Sequence, residues 1–165
     1  MKKLLAAASL FAVLFVTAVQ GEDEKKKPED MTIVEVAVSN KNFSTLVTAV
    51  KAADLVETLS SKGPFTVFAP TNKAFEALGE ETIKKVLADK ETLKKILLAH
   101  VVVGKSVMAA DVVKMDGKEV NGFTIKVEDK KVMLVNEKSK VTVIKTDIKC
   151  KNGVIHVIDA VMLPK

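Results

Sequence analysis

Between Gly63 and Phe75 the chain reads Gly-Pro-Phe-Thr-Val-Phe-Ala-Pro-Thr-Asn-Lys-Ala-Phe, and few folds accommodate that order. Gly63-Pro64 is a turn signal. Residues 65–69 carry aromatic and β-branched side chains that suit a pleated strand. Pro70 has no N–H to donate and closes the ladder. Thr71 follows with a hydroxyl able to accept an orphan N–H, so a helix opens there and runs through Ala74 and Phe75. A buried strand thus passes directly into a helix, and it separates two halves with different periods.

The half before it, and the segment just after it, read as helices. Thr32-Ile33-Val34-Glu35 is a capping box ahead of an apolar run. Asn42 is expected to cap a second helix whose apolar face carries Phe43, Leu46, Val47 and Val50. Asn42-Phe43-Ser44 also fits the N-glycosylation acceptor pattern, with capping as the preferred role. Asp54 is expected to cap a short third helix. Beyond Phe75, Ile83, Val86 and Leu87 form one apolar stripe, with Glu80 and Glu81 four residues ahead of Lys84 and Lys85. Asp89 caps the next helix, on which Leu93, Ile96, Leu97 and His100 share a face. Residues 101–104 leave it as a short strand and turn. From Ser106 the period changes to two: Asp116-Gly117 and Asn121-Gly122 mark turns, and Phe123, Ile125 and Val127 alternate with polar residues. Further strands are expected at 132–135 and 141–144. The last strand, residues 154–158, has little polar alternation and should be covered on both faces. The expected fold class is α+β: a helical layer packed on a mostly antiparallel β-wedge.

Residues 2–3 are lysines and residues 4–19 are apolar, the pattern of a secretory leader. The domain expectation is a leader over 1–21, a charged flexible spacer over 22–30, and one domain over 31–165. Cleavage after Gly21 is the first choice, with Val16-Thr17-Ala18 as a second. The run is shorter than the roughly 20 residues of a spanning helix, so no integral membrane segment is expected after cleavage. That points to a secreted, extracellular protein, or a periplasmic one in a bacterium with two membranes.

Formal charge is +5, and +3 without the two leader lysines. All 26 basic residues are lysine, and Trp and Tyr are absent. Nucleic-acid recognition favours Arg forks and stacking aromatics, so that class is excluded. Phosphate loops, nucleophile elbows, Cys-x-x-Cys and His-Glu-x-x-His patterns are missing, so no enzyme and no cofactor are expected. Two histidines, His100 and His156, make a poor zinc site without a third ligand. Cys150 is the lone cysteine. Its parity matches Ile148, which favours a buried thiol in a monomer; an exposed thiol linking two chains is the alternative.

Three segments in order carry a resemblance: residues 65–75, then Leu97-Leu98-Ala99-His100-Val101-Val102, then residues 152–164. Together they resemble the fasciclin domain family across residues 31–165. The resemblance implies a non-enzymatic domain for cell adhesion or matrix contact, with a cell-surface or matrix protein or glycan as partner. It also implies two contact places. One is an Asp-Ile pair before the last strand, here Asp147-Ile148, preceded by Lys145-Thr146 in place of an acidic-Pro context. The other is a Tyr-His element, of which this chain has Ala99 and His100.

Each of these residues has a second reading. His100 lies on an apolar face and reads first as a hydrogen-bonded core histidine, with a contact residue as the alternative. His156 should bond a neighbouring loop. Asp147 can start or cap a strand, and Asp159 should meet backbone N–H groups at a bend. On the resemblance, replacing Asp147 and Ile148 by Ala should lower attachment and spare the thermal melt. A different class of function is an exported carrier of a small apolar ligand, suggested by the 48% hydrophobic composition and six methionines.

Overall fold

The computed structural model describes residues 26–164; the leader expectation falls outside them. Seven helices and seven strands follow in chain order. The helices are α1 (Ile33–Ser39), α2 (Ser44–Ala52), α3 (Val56–Ser60), α4 (Asn72–Leu78), α5 (Glu80–Ala88), α6 (Lys90–Ala99) and α7 (Ala109–Lys114). The strands are β1 (Phe65–Pro70), β2 (Val101–Val103), β3 (Glu119–Val120), β4 (Phe123–Glu128), β5 (Lys131–Val135), β6 (Lys140–Cys150) and β7 (Gly153–Ile158). In the charged segment ahead of the domain, Pro28–Asp30 forms one 3-10 turn beside β6.

One seven-stranded sheet runs in the order β2-β1-β7-β6-β5-β4-β3. β1 and β7 pair in parallel, from Phe65 opposite Gly153 to Pro70 opposite Ile158. Every other pair is antiparallel. The two segments that frame the resemblance are therefore adjacent central strands. All twelve of their residues are buried, in keeping with largely apolar runs that only Thr66 and His156 interrupt.

Period two then divides the core in two. Phe65, Val67 and Ala69 of β1, with Ile155 and Val157 of β7, face the helices and pack with Phe43, Leu46, Leu93, Ile96 and Leu97. Phe68 and Ile158 face the other way, into a cluster with Phe123, Ile125, Leu134, Val141 and Met162. The approach of β1 to β7 is close: a Cβ on Gly153 would stand 2.1 Å from the Phe65 carbonyl oxygen. Only glycine fits there.

The helix starts at Thr32, Thr71 and Asp89 form as expected. Thr32 and Glu35 make the reciprocal capping box, the Thr71 hydroxyl accepts from Ala74 N–H, and Asp89 accepts from Glu91 and Thr92. Two expected caps do not form. Asn42 sits inside a 3-10 turn, Lys41–Phe43, that Asn40 caps. The Thr45 N–H at the start of α2 is met instead by Asn72 Oδ1, from α4, at 3.1 Å. Asp54 caps nothing; it turns the chain before α3 at φ 55°. The stripe on α5 packs against the core only half-buried, and Lys84 pairs with Glu80 at 3.8 Å.

Two differences concern the second half. A helix, α7, interrupts the region expected to be all strand, and it buries Val112 in the second cluster. β6 is also much longer than the expected 141–144, reaching Cys150. Its pairing with β7 slips twice, between Val143 and Lys145 and between Lys145 and Ile148. The turns behave as their residues require: Asn121 and Gly122 both have positive φ, 51° and 82°, linking β3 to β4.

Candidate functional site

The second slip in β6 contains Asp147. Its φ is 59°, a left-handed conformation in the middle of a strand. Asp and Asn adopt that region more readily than most residues because their short polar side chains bond locally. Two anchors hold it. The backbone N–H donates to His156 Nδ1 at 3.4 Å. The carboxylate Oδ1 accepts from Ala109 N–H at 2.8 Å, at the first residue of α7. Asp147 thus caps a helix that the sequence pattern did not reveal. The side chain is exposed, and among the described residues its Oδ2 accepts no hydrogen bond.

Ile148 points the other way. It pairs with Ile155 on β7 and packs half-buried against the helix-side core. The pair is split: Asp147 faces solvent and Ile148 anchors it.

His156 sits beneath the bulge, 1% exposed, its ring stacked on Phe68 at 5.6 Å. Nε2 lies 2.7 Å from the Val107 carbonyl and must donate to it. Nδ1 is then the acceptor for Asp147 N–H, which requires the neutral ring. Burial lowers the His156 pKa, outweighing the raising influences of the Val107 bond and the Asp147 charge. The expected bond to a neighbouring loop is this one, and it ties β7 to the loop before α7.

His100 is not brought to this place. It is 2% exposed at the end of α6. Nδ1 donates to Ile96 O at 2.7 Å and Nε2 accepts from Met162 N–H at 2.9 Å. Both ring nitrogens are engaged, so no ring atom is left to meet a partner. Burial brings its pKa down to about 4, the Ile96 bond opposing only in part. The two histidines serve separate brackets and do not share a ligand. Asp159 meets backbone as expected, accepting from Thr142 N–H at 2.8 Å and donating its own N–H to Thr142 O.

Cys150 is half-buried, and burial pushes its thiol up to about 11. A protonated thiol is a poor nucleophile for exchange, which argues against the chain-linking role. Among the described residues the gap between helices and sheet offers little room for an apolar ligand. The cavity between α1, α2, α3 and the sheet, lined by Val34, Leu46 and Leu59 among others, has about 30 Å³. Ligand sites run to roughly 300–1,000 Å³.

The Fasciclin domain family matches residues 41–164. This chain belongs to the fasciclin domain family. A Synechocystis protein, Protein sll1483, is 54% identical over 140 residues, covering 81% of this chain and 74% of that one. Human periostin is 36% identical over 146 residues, spanning 84% of this chain but 16% of periostin. The Sus scrofa transforming growth factor-beta-induced protein ig-h3 is 34% identical, over 86% of this chain and 20% of ig-h3. A solved FAS1 domain pair from the insect cell adhesion molecule Fasciclin I superposes with a TM-score of 0.73 at 23% identity, over 82% of this chain and 51% of that one. The α+β fold of this fasciclin domain is the one in that structure, with helices on a mixed seven-stranded sheet. Among the described residues no helix is long and apolar enough to cross a membrane.

Proposed function

We propose that this fasciclin domain is exported by its leader and acts without catalysis, as an adhesion-type module that contacts a cell surface or an extracellular matrix. It would work outside the cell, or in the periplasm of a bacterium with two membranes. Asp147, with Ile148 beneath it, is the proposed contact. The observation that carries the reading is the presentation of Asp147: an exposed carboxylate at positive φ on a strand bulge, braced at both its backbone and one oxygen. Strained residues held by their surroundings concentrate at functional sites. Membership of the fasciclin family supports the same role.

The structure changes how this is tested. Replacing Asp147 and Ile148 together by Ala removes the cap of α7 and a core contact, so lost attachment would report on folding as well. Asp147→Asn is the cleaner probe. It keeps an Oδ1 acceptor for Ala109, tolerates positive φ, and removes only the charge. Attachment of cells, or of matrix from the native host, to the immobilised variant should fall at least several-fold with the thermal melt unchanged. Attachment equal to that of the native chain rejects Asp147 as the contact.

A further inference from the structure

A groove opens at the end of the sheet where β1 and β7 begin, adjacent along β6 to Asp147 but not including it. Its volume is about 720 Å³, within the range of ligand sites. Lys62, Lys149 and Lys151 line it, together with Thr32, Ser60, Ser61 and Ser106. Among the described residues no carboxylate lines it. None of the three lysines is in an ion pair among the described residues. The carboxylate of Glu35, which feels the charge of Lys151, is committed to Thr32 N–H at 2.7 Å. The thiol of Cys150, also in the wall, stays protonated and adds no negative charge.

The walls are fixed before any ligand arrives. The Asn152 side chain donates to Leu59 O and Ser61 O at 2.8 and 2.9 Å, and accepts from Ile33 N–H at 2.9 Å. Its carbonyl accepts from Phe65 N–H. One asparagine therefore locks α1, the end of α3 and β1 to the β6–β7 turn. On the opposite wall, the wholly buried Thr66 hydroxyl donates to Lys105 O and accepts from Val107 N–H, which pins Ser106 between them. A preformed site spends less of its binding free energy on ordering.

We infer that this groove binds an anionic saccharide, one carrying sulfate or uronate groups along a hydroxyl-rich chain. Three unpaired cations supply the attraction, and the serine and threonine hydroxyls match a polyol. An acidic peptide fits less well: β1 and β7 have both edges paired, so no free strand edge is there to be extended. The inference goes beyond the adhesion reading, and its test reads a purified ligand rather than attachment.

The test is calorimetric titration of the purified chain, at fixed moderate ionic strength, with a heparin-derived hexasaccharide, an oligogalacturonate of the same length, neutral maltohexaose and hexaglutamate. The first, the second or both should bind, and which of them does separates sulfate from carboxylate recognition. Maltohexaose and hexaglutamate should bind at least tenfold more weakly. The K62Q/K149Q/K151Q variant should lose tenfold or more in affinity. A control of equal charge, K85Q/K94Q/K118Q, changes exposed lysines outside the groove and should lose less than threefold. All six positions are exposed, where substitutions disturb folding little. Equal losses in the two triple variants would reduce the effect to net charge and overturn the site. Absence of saccharide binding by the native chain, or hexaglutamate binding as tight as either saccharide, would overturn the ligand assignment.

Discussion

β6 and β7 run side by side, yet they are opposite kinds of strand. β7 is six residues, all buried, in continuous register with β1. β6 is eleven residues, of which only Val141 is fully buried, and its register with β7 slips twice. The first is largely apolar on both faces, with the hydrogen-bonded His156 as its polar residue, and is held mainly by packing. The second is irregular and held by discrete hydrogen bonds, those of Asp147 and His156 above all. A straight, buried strand has no freedom to present anything; a bulged neighbour bonded to it can aim a side chain outward at little cost to the core. The division of labour in this domain, frame against display, falls between these two adjacent strands.

That contrast can be broken most sharply at the frame. Phe65→Ala and Phe68→Ala remove rings that are 5% and 4% exposed on opposite faces of β1. Each should cost about 3–5 kcal/mol in denaturant unfolding. Losses under about 1 kcal/mol at both would mean that β1 is not core. Acid comes next. The His100 pKa is about 4 in the fold and 6.5 as the ordinary value. The folded state refuses a proton that the unfolded chain accepts, so stability is complete above pH 6.5 and falls as pH drops toward 4. The loss from His100 should reach about 3 kcal/mol, with His156 adding in the same direction. Urea midpoints at pH 7 and pH 4, together with the His100 ring titration followed by NMR, check this; a ring that titrates near 6.5 removes the argument.

Asn152→Ala tests whether the mouth of the frame is as rigid as its centre. It strands Ile33 N–H and the Leu59 carbonyl, and about 2–3 kcal/mol should be lost. A change within about 0.5 kcal/mol would show that the β6–β7 turn is held by other contacts. At the display strand the expected stability effect is smallest. Asp147→Asn should move stability by less than about 0.5 kcal/mol while lowering attachment. A large loss of stability there would make β6 part of the frame and erase the contrast.

Local chemistry explains which features were legible in the sequence. Thr32, Thr71 and Asp89 cap the helices that begin beside them, because a cap reaches only two or three residues. Asn121-Gly122 turns as it must, since few other pairs tolerate two positive φ values in succession. The largely apolar runs announced a buried strand at β1 and a strand covered on both faces at β7. Other features depended on partners distant in sequence. α2 is capped by Asn72, 27 residues on from the N–H it meets at Thr45. α7 is six residues long with one fully buried side chain, too short for a helical period to show. Its start is set by Asp147, 38 residues later.

The same boundary runs through the candidate sites. His100 and Asp147 were both singled out from the sequence, and tertiary structure decided their surroundings: one is a sealed bracket in the core, the other an exposed carboxylate on a bulge. The groove of Lys62, Lys149 and Lys151 joins segments some 90 residues apart, which no spacing rule could connect. By itself the sequence determined the main periods, the caps at Thr32, Thr71 and Asp89 and the two buried strands, because those rest on near neighbours along the chain. Only the folded structure decided where β6 breaks, which side chains face outward and which lysines gather, because those follow from how β1, β7 and the loops around them close on one another.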